Sequence, residues 1–420
     1  MPIKRRFQFK NPPKWLILTC LIIAGEIIFS LPFHVIRYFR PTFLEVFQLT
    51  NTQVGDAIAV YGITAMIAYF PSGVIADRFS ARKLMSISLF ATALGGIWLA
   101  FLPNQLSLSV LFGYWGVSNI LLFWSAMLRT TREWGGNLAQ GRAFGILDGG
   151  RGLMSAVAAS VAVLFLSAFL KGNMEEVSVE QTEQALKSVI WMYTVITFFA
   201  GILIWLFIPD VKIKATTSES CKGIIKVLKR RSTWLQAAVI ICAYCGYKGL
   251  DFYTIYGVDT LGIDEVTSAR LMSNAAYLRP VGAVAAGFIA DRFTTKKTII
   301  SLFGLLTICY VLLLLFSPEK TSRVLIFINL GFTILVVFAL RGVYFALFEE
   351  TRVPKNLTGT TIGLVSLVGF TPDIFFNSVA GRIIDASPGK EGYFNFYLLL
   401  MIFAFVGLLT TILLRTKNAR

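Results

Sequence analysis

Histidine is nearly missing: His34 is alone among 420 residues, which argues against a histidine metal site or a Ser-His triad. Five cysteines, Cys20, Cys221, Cys242, Cys245 and Cys309, fall in or beside apolar runs or in a basic connection, so no disulfide framework is implied. Cys242-Ala-Tyr-Cys245 has redox spacing, but inside an apolar run the pair reads as small packing residues. Charge is also scarce, at 15% against 56% hydrophobic residues, too little polar surface to clothe a soluble domain of this length. No constellation of side chains calls for a cofactor or a metal, or marks an integral-membrane enzyme. No filter-like stretch marks a channel.

What is abundant is long apolar sequence. A helix needs roughly 20 apolar residues to cross about 30 Å of hydrocarbon, and the chain supplies about twelve such runs. They lie near 15–38, 53–76, 84–102, 106–128, 142–170, 188–208, 233–258, 268–290, 298–316, 324–348, 358–385 and 393–414. The net charge of +16 suits a nucleic-acid partner in principle, but its placement argues otherwise. With both termini in the cytosol, most of the 39 Lys and Arg fall on the cytosolic side, the bias that orients membrane proteins. The basic stretch before the first run would hold that run as an anchor rather than a cleaved leader.

One eleven-residue stretch occurs twice, about half a chain apart. It reads Gly73-Val-Ile-Ala-Asp77-Arg78-Phe79-Ser80-Ala81-Arg82-Lys83 and Gly287-Phe-Ile-Ala-Asp291-Arg292-Phe293-Thr294-Thr295-Lys296-Lys297. Each copy joins two apolar runs, so one unit has been duplicated. A second echo agrees, since Gly141 and Gly145 recur as Gly359 and Gly363 at the start of the fifth and eleventh runs. The basic segment 210–232 separates the halves, giving an N-terminal bundle over 1–209 and a C-terminal bundle over 233–420. Its stretch from Cys221 to Arg231 has amphipathic spacing that fits the headgroup layer. The segment 171–187, with Glu175, Glu176, Glu180 and Glu183, reads as a short surface helix on the other side.

Gly73, Asp77, Arg78, Arg82 and Lys83 stand at the spacing of a loop signature, and the stretch resembles that of the major facilitator superfamily. It departs at Ser80 and Thr294, where the family usually has glycine. The resemblance implies an all-α membrane protein of twelve transmembrane helices in two six-helix bundles related by a pseudo-twofold axis, a secondary transporter with its substrate between them. It implies too that the loop latches the cytosolic side. On that view Asp77 caps a neighbouring helix, Arg78, Arg82 and Lys83 reach acids such as Glu133, Glu349 or Glu350, and Asp291 and Arg292 repeat the arrangement.

Charges inside a bilayer are costly unless paired or wet, which makes them the first functional candidates. They are Glu26, Asp148, Arg151, Lys248, Asp251, Arg279, Arg341, Asp373 and Arg382. Arg37 and Arg40 stand toward the outer end of the first helix, where they can snorkel to water; Tyr61 and Trp124 add aromatic surface. The first, fourth, seventh and tenth helices of the family line the cavity, which singles out Glu26, Lys248, Asp251 and Arg341. Each has a plainer reading as one partner in an interhelical salt bridge. Asp148 and Arg151, three apart on one helix, read as a local ion pair or as gating residues.

The seventh run is the richest, with Tyr244, Lys248 and Asp251 along one face. It resembles the organophosphate:phosphate antiporter branch, with Arg37 and Lys248 at the positions of its two arginines and Gly249 and Asp251 following. Lys248 departs from that pattern by losing two-point phosphate recognition. Glu26 and Asp373 add negative charge, and the fifth helix has no histidine. The reading is therefore a monomeric transporter of a bacterial plasma (inner) membrane, moving an organic anion or phosphorylated metabolite, with a proton or counter-transported anion as coupling partner. A proton-coupled symporter of a sugar, nucleoside or amino acid and a transport-inactive sensor stay open.

Overall fold

The computed structural model describes residues 12–135, 140–170, 178–210, 228–316, 321–350 and 358–415, and among them every regular element is helical. Twelve long helices follow one another: α1 Lys14–Tyr38, α2 Asn51–Arg78, α3 Ala81–Ala100, α4 Gln105–Thr131, α5 Gln140–Phe169 and α6 Val179–Phe207. Then come α7, made of Arg231–Gly249 and Tyr253–Asp259, and α8, made of Glu265–Ala275 and Leu278–Arg292. The last four are α9 Thr295–Leu315, α10 Arg323–Ala346, α11 Leu364–Ala386 and α12 Lys390–Leu413. Ten are long and apolar enough to cross a bilayer; α7 and α8 are interrupted and diluted by charge.

The interruptions have local causes. Pro32 has no N–H to give the Ile28 carbonyl, and α1 widens there into a π-type turn over Ser30–His34. Pro280 cannot donate to the Ala276 carbonyl, which takes the Arg279 N–H at 3.1 Å. In α11, Pro372 leaves the Val368 carbonyl to the Thr371 N–H at 3.2 Å and the Thr371 hydroxyl at 2.7 Å. Each proline break stands beside a charged candidate: Glu26 before the first, Arg279 before the second, Asp373 after the third. In α7 a single tight turn, Leu250–Phe252, follows Gly249 and carries Asp251.

The chain packs into two units, one of Met1–Leu49 with Val60–Thr216 and the other of Thr50–Ala59 with Thr217–Arg420. The first turns of α2 thus pack with the second unit. In the first unit α1 lies against α4, α5 and α6, and α3 runs along α6. In the second, α7 lies against α10, α11 and α12, α8 against α10, and α9 against α12. Most of the segment 210–232, including the start of its amphipathic stretch, lies outside the described residues. Ser178 begins α6 with a reciprocal cap through Gln181, so Glu180 and Glu183 belong to the first turns of a continuous 29-residue helix rather than to a separate surface helix.

Candidate functional site

In the first unit the site grows from the Pro32 break. The Ile28 carbonyl receives Nδ2 of Asn119 from α4 at 3.3 Å. The Phe29 N–H turns to the Glu26 carbonyl at 3.0 Å, leaving the Gly25 carbonyl to Nε of Arg151 from α5, also at 3.0 Å. Gly25 leaves room for this: a Cβ there would lie 2.7 Å from the Met127 sulfur and 3.4 Å from Arg151 Cδ. The same Nε is 3.2 Å from Glu26 Oε2. Its one hydrogen points to Gly25, so its hold on Glu26 is electrostatic. The guanidinium lies 5.8 Å from the Phe29 ring and 5.6 Å from Trp124.

The wide turn absorbs about one residue, which brings His34 onto the helix face of Glu26, two turns away. His34 Nε2 is 3.3 Å from Glu26 Oε1 and 3.4 Å from Ser155 Oγ. Glu26, His34 and Arg151 are all buried. Arg37 and Arg40, expected to reach water, are buried as well, at 6% and 0% exposure. Tyr61 is buried and meets Phe33 edge-on at 4.8 Å. Asp148 is half-buried on α5, one turn before Arg151, and Glu26 lies against Arg151 as well.

In the second unit Lys248 stands between two carboxylates. Its Nζ is 3.2 Å from Asp373 Oδ1 and 3.5 Å from Asp251 Oδ2. The Tyr244 hydroxyl donates to Asp373, with oxygens at 3.1 and 3.2 Å. Arg341 of α10 covers the Tyr247 ring at 3.8 Å and lies 5.9 Å from Tyr244. Lys248 is 1% and Asp251 2% exposed, and Asp373 and Arg341 are half-buried beside them, so the group sets two cations against two anions around a desolvated pair. Below the break, Tyr256 of α7 packs edge-on to Tyr393 and Tyr397 of α12 at 5.2 Å each, and the Tyr393 hydroxyl donates to Asp259 at 2.7 Å. Arg279 is buried, at the restart of α8. A separate cavity of about 140 Å³ between α7, α8 and α10, lined by Gly257, Leu261, Leu271, Met272, Phe327 and Ile334, is apolar.

At the duplicated loops the two units differ. Arg82 is 2.7 Å from Asp210, an acid the sequence reading passed over, and lies 5.0 Å from the Trp205 ring. Arg129 of α4 donates to the Ala76 carbonyl and to that of Phe79 at 3.5 Å, closing the end of α2. In the second unit Glu350 accepts the N–H groups of Thr295 and Lys296, the latter at 3.1 Å, and so caps α9. Arg78, Asp291 and Arg292 are exposed. The side chains of Asp77 and Glu349, assigned gating roles above, lie outside the described residues.

The profile of the Major Facilitator Superfamily matches residues 15–375. The chain belongs to the Major Facilitator Superfamily. Inner membrane protein YihN of Escherichia coli (strain K12) is 29% identical over 413 residues, covering 96% of this chain and 95% of that one. Inner membrane protein YqcE of the same strain is 29% identical over 406 residues, covering 93% and 92%. The Glycerol-3-phosphate transporter of Bacillus subtilis (strain 168) is 21% identical over 386 residues, covering 84% and 83%. Among solved structures, nucleoside transporter NupG superposes with a TM-score of 0.75 at 13% identity, covering 96% of this chain and 100% of that one, which shows the fold.

Within this Major Facilitator Superfamily chain the duplication reaches the sites. Carrying position 34 forward by the distance from Gly73 to Gly287 lands on Lys248, and carrying Ser155 forward by the distance from Gly141 to Gly359 lands on Asp373. The contacts His34–Ser155 and Lys248–Asp373 therefore stand at equivalent places, each within its own unit. Sequence reading passed over His34, Ser155 and Asn119. The signal that finds the first two is this offset; for Asn119 it is an amide in an apolar run.

Proposed function

We propose that this chain is a secondary active transporter that carries a small organic anion, foremost a phosphorylated metabolite, across the plasma membrane by alternating access, with both termini in the cytosol. The observation that supports it is Lys248, a buried ammonium shared by Asp373 and Asp251 at 3.2 and 3.5 Å, with the Arg341 guanidinium on the adjoining Tyr247 ring. Neutralising either carboxylate leaves surplus positive charge on a flat aromatic surface, which suits a ligand with a compact anionic group. The relative named as a glycerol-3-phosphate transporter supports the same class. The charge balance of the resting cluster favours a second reading, a neutral or zwitterionic nutrient such as a nucleoside.

Counterflow in proteoliposomes separates these readings. Vesicles loaded with glycerol 3-phosphate should take up labelled inorganic phosphate, and lose that uptake in Lys248→Met. Uptake of labelled uridine alone would turn the substrate class to nucleosides. A chain that exchanges neither would stand as a transport-inactive sensor.

A further inference from the structure

We propose that Glu26 and His34 form a proton-binding site in the first unit, in which a proton on His34 and the guanidinium of Arg151 are alternative counter-charges of one carboxylate. The role of that proton in transport rests on the carrier reading above; its binding does not.

The geometry carries the argument. Glu26 presents one oxygen to each cationic side chain, Oε1 to His34 Nε2 at 3.3 Å and Oε2 to Arg151 Nε at 3.2 Å. With His34 neutral, the carboxylate and guanidinium cancel, which is the state a buried cluster favours. A proton on the ring makes His34 an imidazolium and leaves one positive charge in excess. That excess weakens the hold of Arg151, which also grips the Gly25 carbonyl that the Phe29 N–H leaves open. Proton binding is thereby tied to the α1–α5 contact.

Among the described residues, groups facing the ring come from at least three helices. Glu26 and the Tyr38 ring, at 5.7 Å, belong to α1 itself, with Arg37 next to Tyr38. Ser155 and Arg151 belong to α5, with Asp148 one turn earlier. From α6 comes Tyr193, whose ring is 6.1 Å away. The Tyr193 hydroxyl is fully buried and has no hydrogen-bond partner among the described residues, an open polar group beside a titratable one. His34 also holds the repeat position of Lys248, so the two units carry an imidazole and an amine at equivalent places.

Because the chain has one histidine, the test reads a single imidazole. Full-length protein, labelled with isotopic histidine, purified through a histidine-free tag and placed in lipid nanodiscs, is titrated by NMR between about pH 5 and 9. The wild type should show one reversible single-proton transition. Glu26→Gln should displace it toward acid by about one pH unit or more, and Arg151→Gln should displace it the other way. A ring that keeps one protonation state across the range overturns the proposal, as do two variants that shift together or leave the transition unmoved. The phosphate counterflow assay reports separately on the carrier reading, since exchange can fail while His34 still titrates.

Discussion

Asp385, at the end of α11, caps the first turn of α2: its Oδ2 accepts the Thr52 N–H at 2.6 Å, and its Oδ1 accepts the Asn51 N–H at 3.3 Å and Asn51 Nδ2 at 3.1 Å. The negative group meets the positive end of the helix dipole. Asp56, in the second turn of α2, answers with the Ser378 hydroxyl and both terminal nitrogens of Arg382, at 2.8 and 3.1 Å. Gly55 and Gly381 let the backbones touch, because a Cβ at either would overlap the carbonyl of Asn377 or of Asn51.

This contact predicts where small changes matter most. Gly381→Ala and Gly55→Ala should each destabilise the protein by about 1–3 kcal/mol through overpacking, and Asp385→Ala by about 1 kcal/mol through the lost cap. Thermal unfolding in detergent checks this. Unchanged midpoints in all three variants would mean that the helices do not rest on one another.

Lys248 predicts a split between stability and transport. Lys248→Met removes the cation that lies against both Asp251 and Asp373 and should cost about 3–5 kcal/mol, as breaking a buried ion pair does. Adding Asp373→Asn should recover much of the loss in unfolding midpoint while phosphate counterflow stays absent. Wild-type counterflow in Lys248→Met would remove this residue from binding.

Asp251→Asn leaves Lys248 paired with Asp373 and should keep the fold. Burial raises a carboxyl toward the range where it can carry a proton, and with Asp251 as the carboxylate that couples transport to a proton gradient, accumulation in this variant should fall about tenfold or more while exchange without a gradient persists. Undiminished accumulation would make Asp251 a structural partner only.

The twelve-helix plan was legible because apolar runs and charged turns are one-dimensional signals, and because the turn at Asp77 recurs at Asp291. Glu26, Lys248 and Asp251 were legible for the same reason, as charges where the bilayer disfavours them. The partners on other helices were not. Pairing Arg151 with Glu26 depends on the Gly25 carbonyl, which the Phe29 N–H leaves by turning to Glu26, and His34 reaches Glu26 only because the wide turn shifts its register. Arg82 reaches Asp210 because α3 packs along α6, a fact no local pattern contains. The buried state of Arg37 and Arg40 likewise comes from tertiary packing that covers the end of α1.

Asp264 offers a test of a helix cap outside the apolar spans. It precedes α8, and its Oδ1 accepts the Thr267 N–H at 2.8 Å. Burial alone would raise the carboxyl, but hydrogen bonds from Thr267 and the charge of Arg270 outweigh it and hold Asp264 below its ordinary value of 3.8. A depressed carboxyl favours the ionised form in the folded state, so its stabilisation is complete above the unfolded value and is lost as pH falls through the folded one. Asp264→Ala should therefore lower stability by about 1 kcal/mol near neutral pH. The gap to wild type should close only as the medium is acidified below about pH 4. Asp264→Asn keeps an oxygen that can cap, and should show a smaller gap near neutral pH that shrinks on acidification by as much as the alanine gap does, because neither variant titrates at this position. Unfolding midpoints for the three proteins across that range decide the matter, and a wild-type-to-alanine gap that stays constant into strong acid would show that the carboxylate charge plays no part.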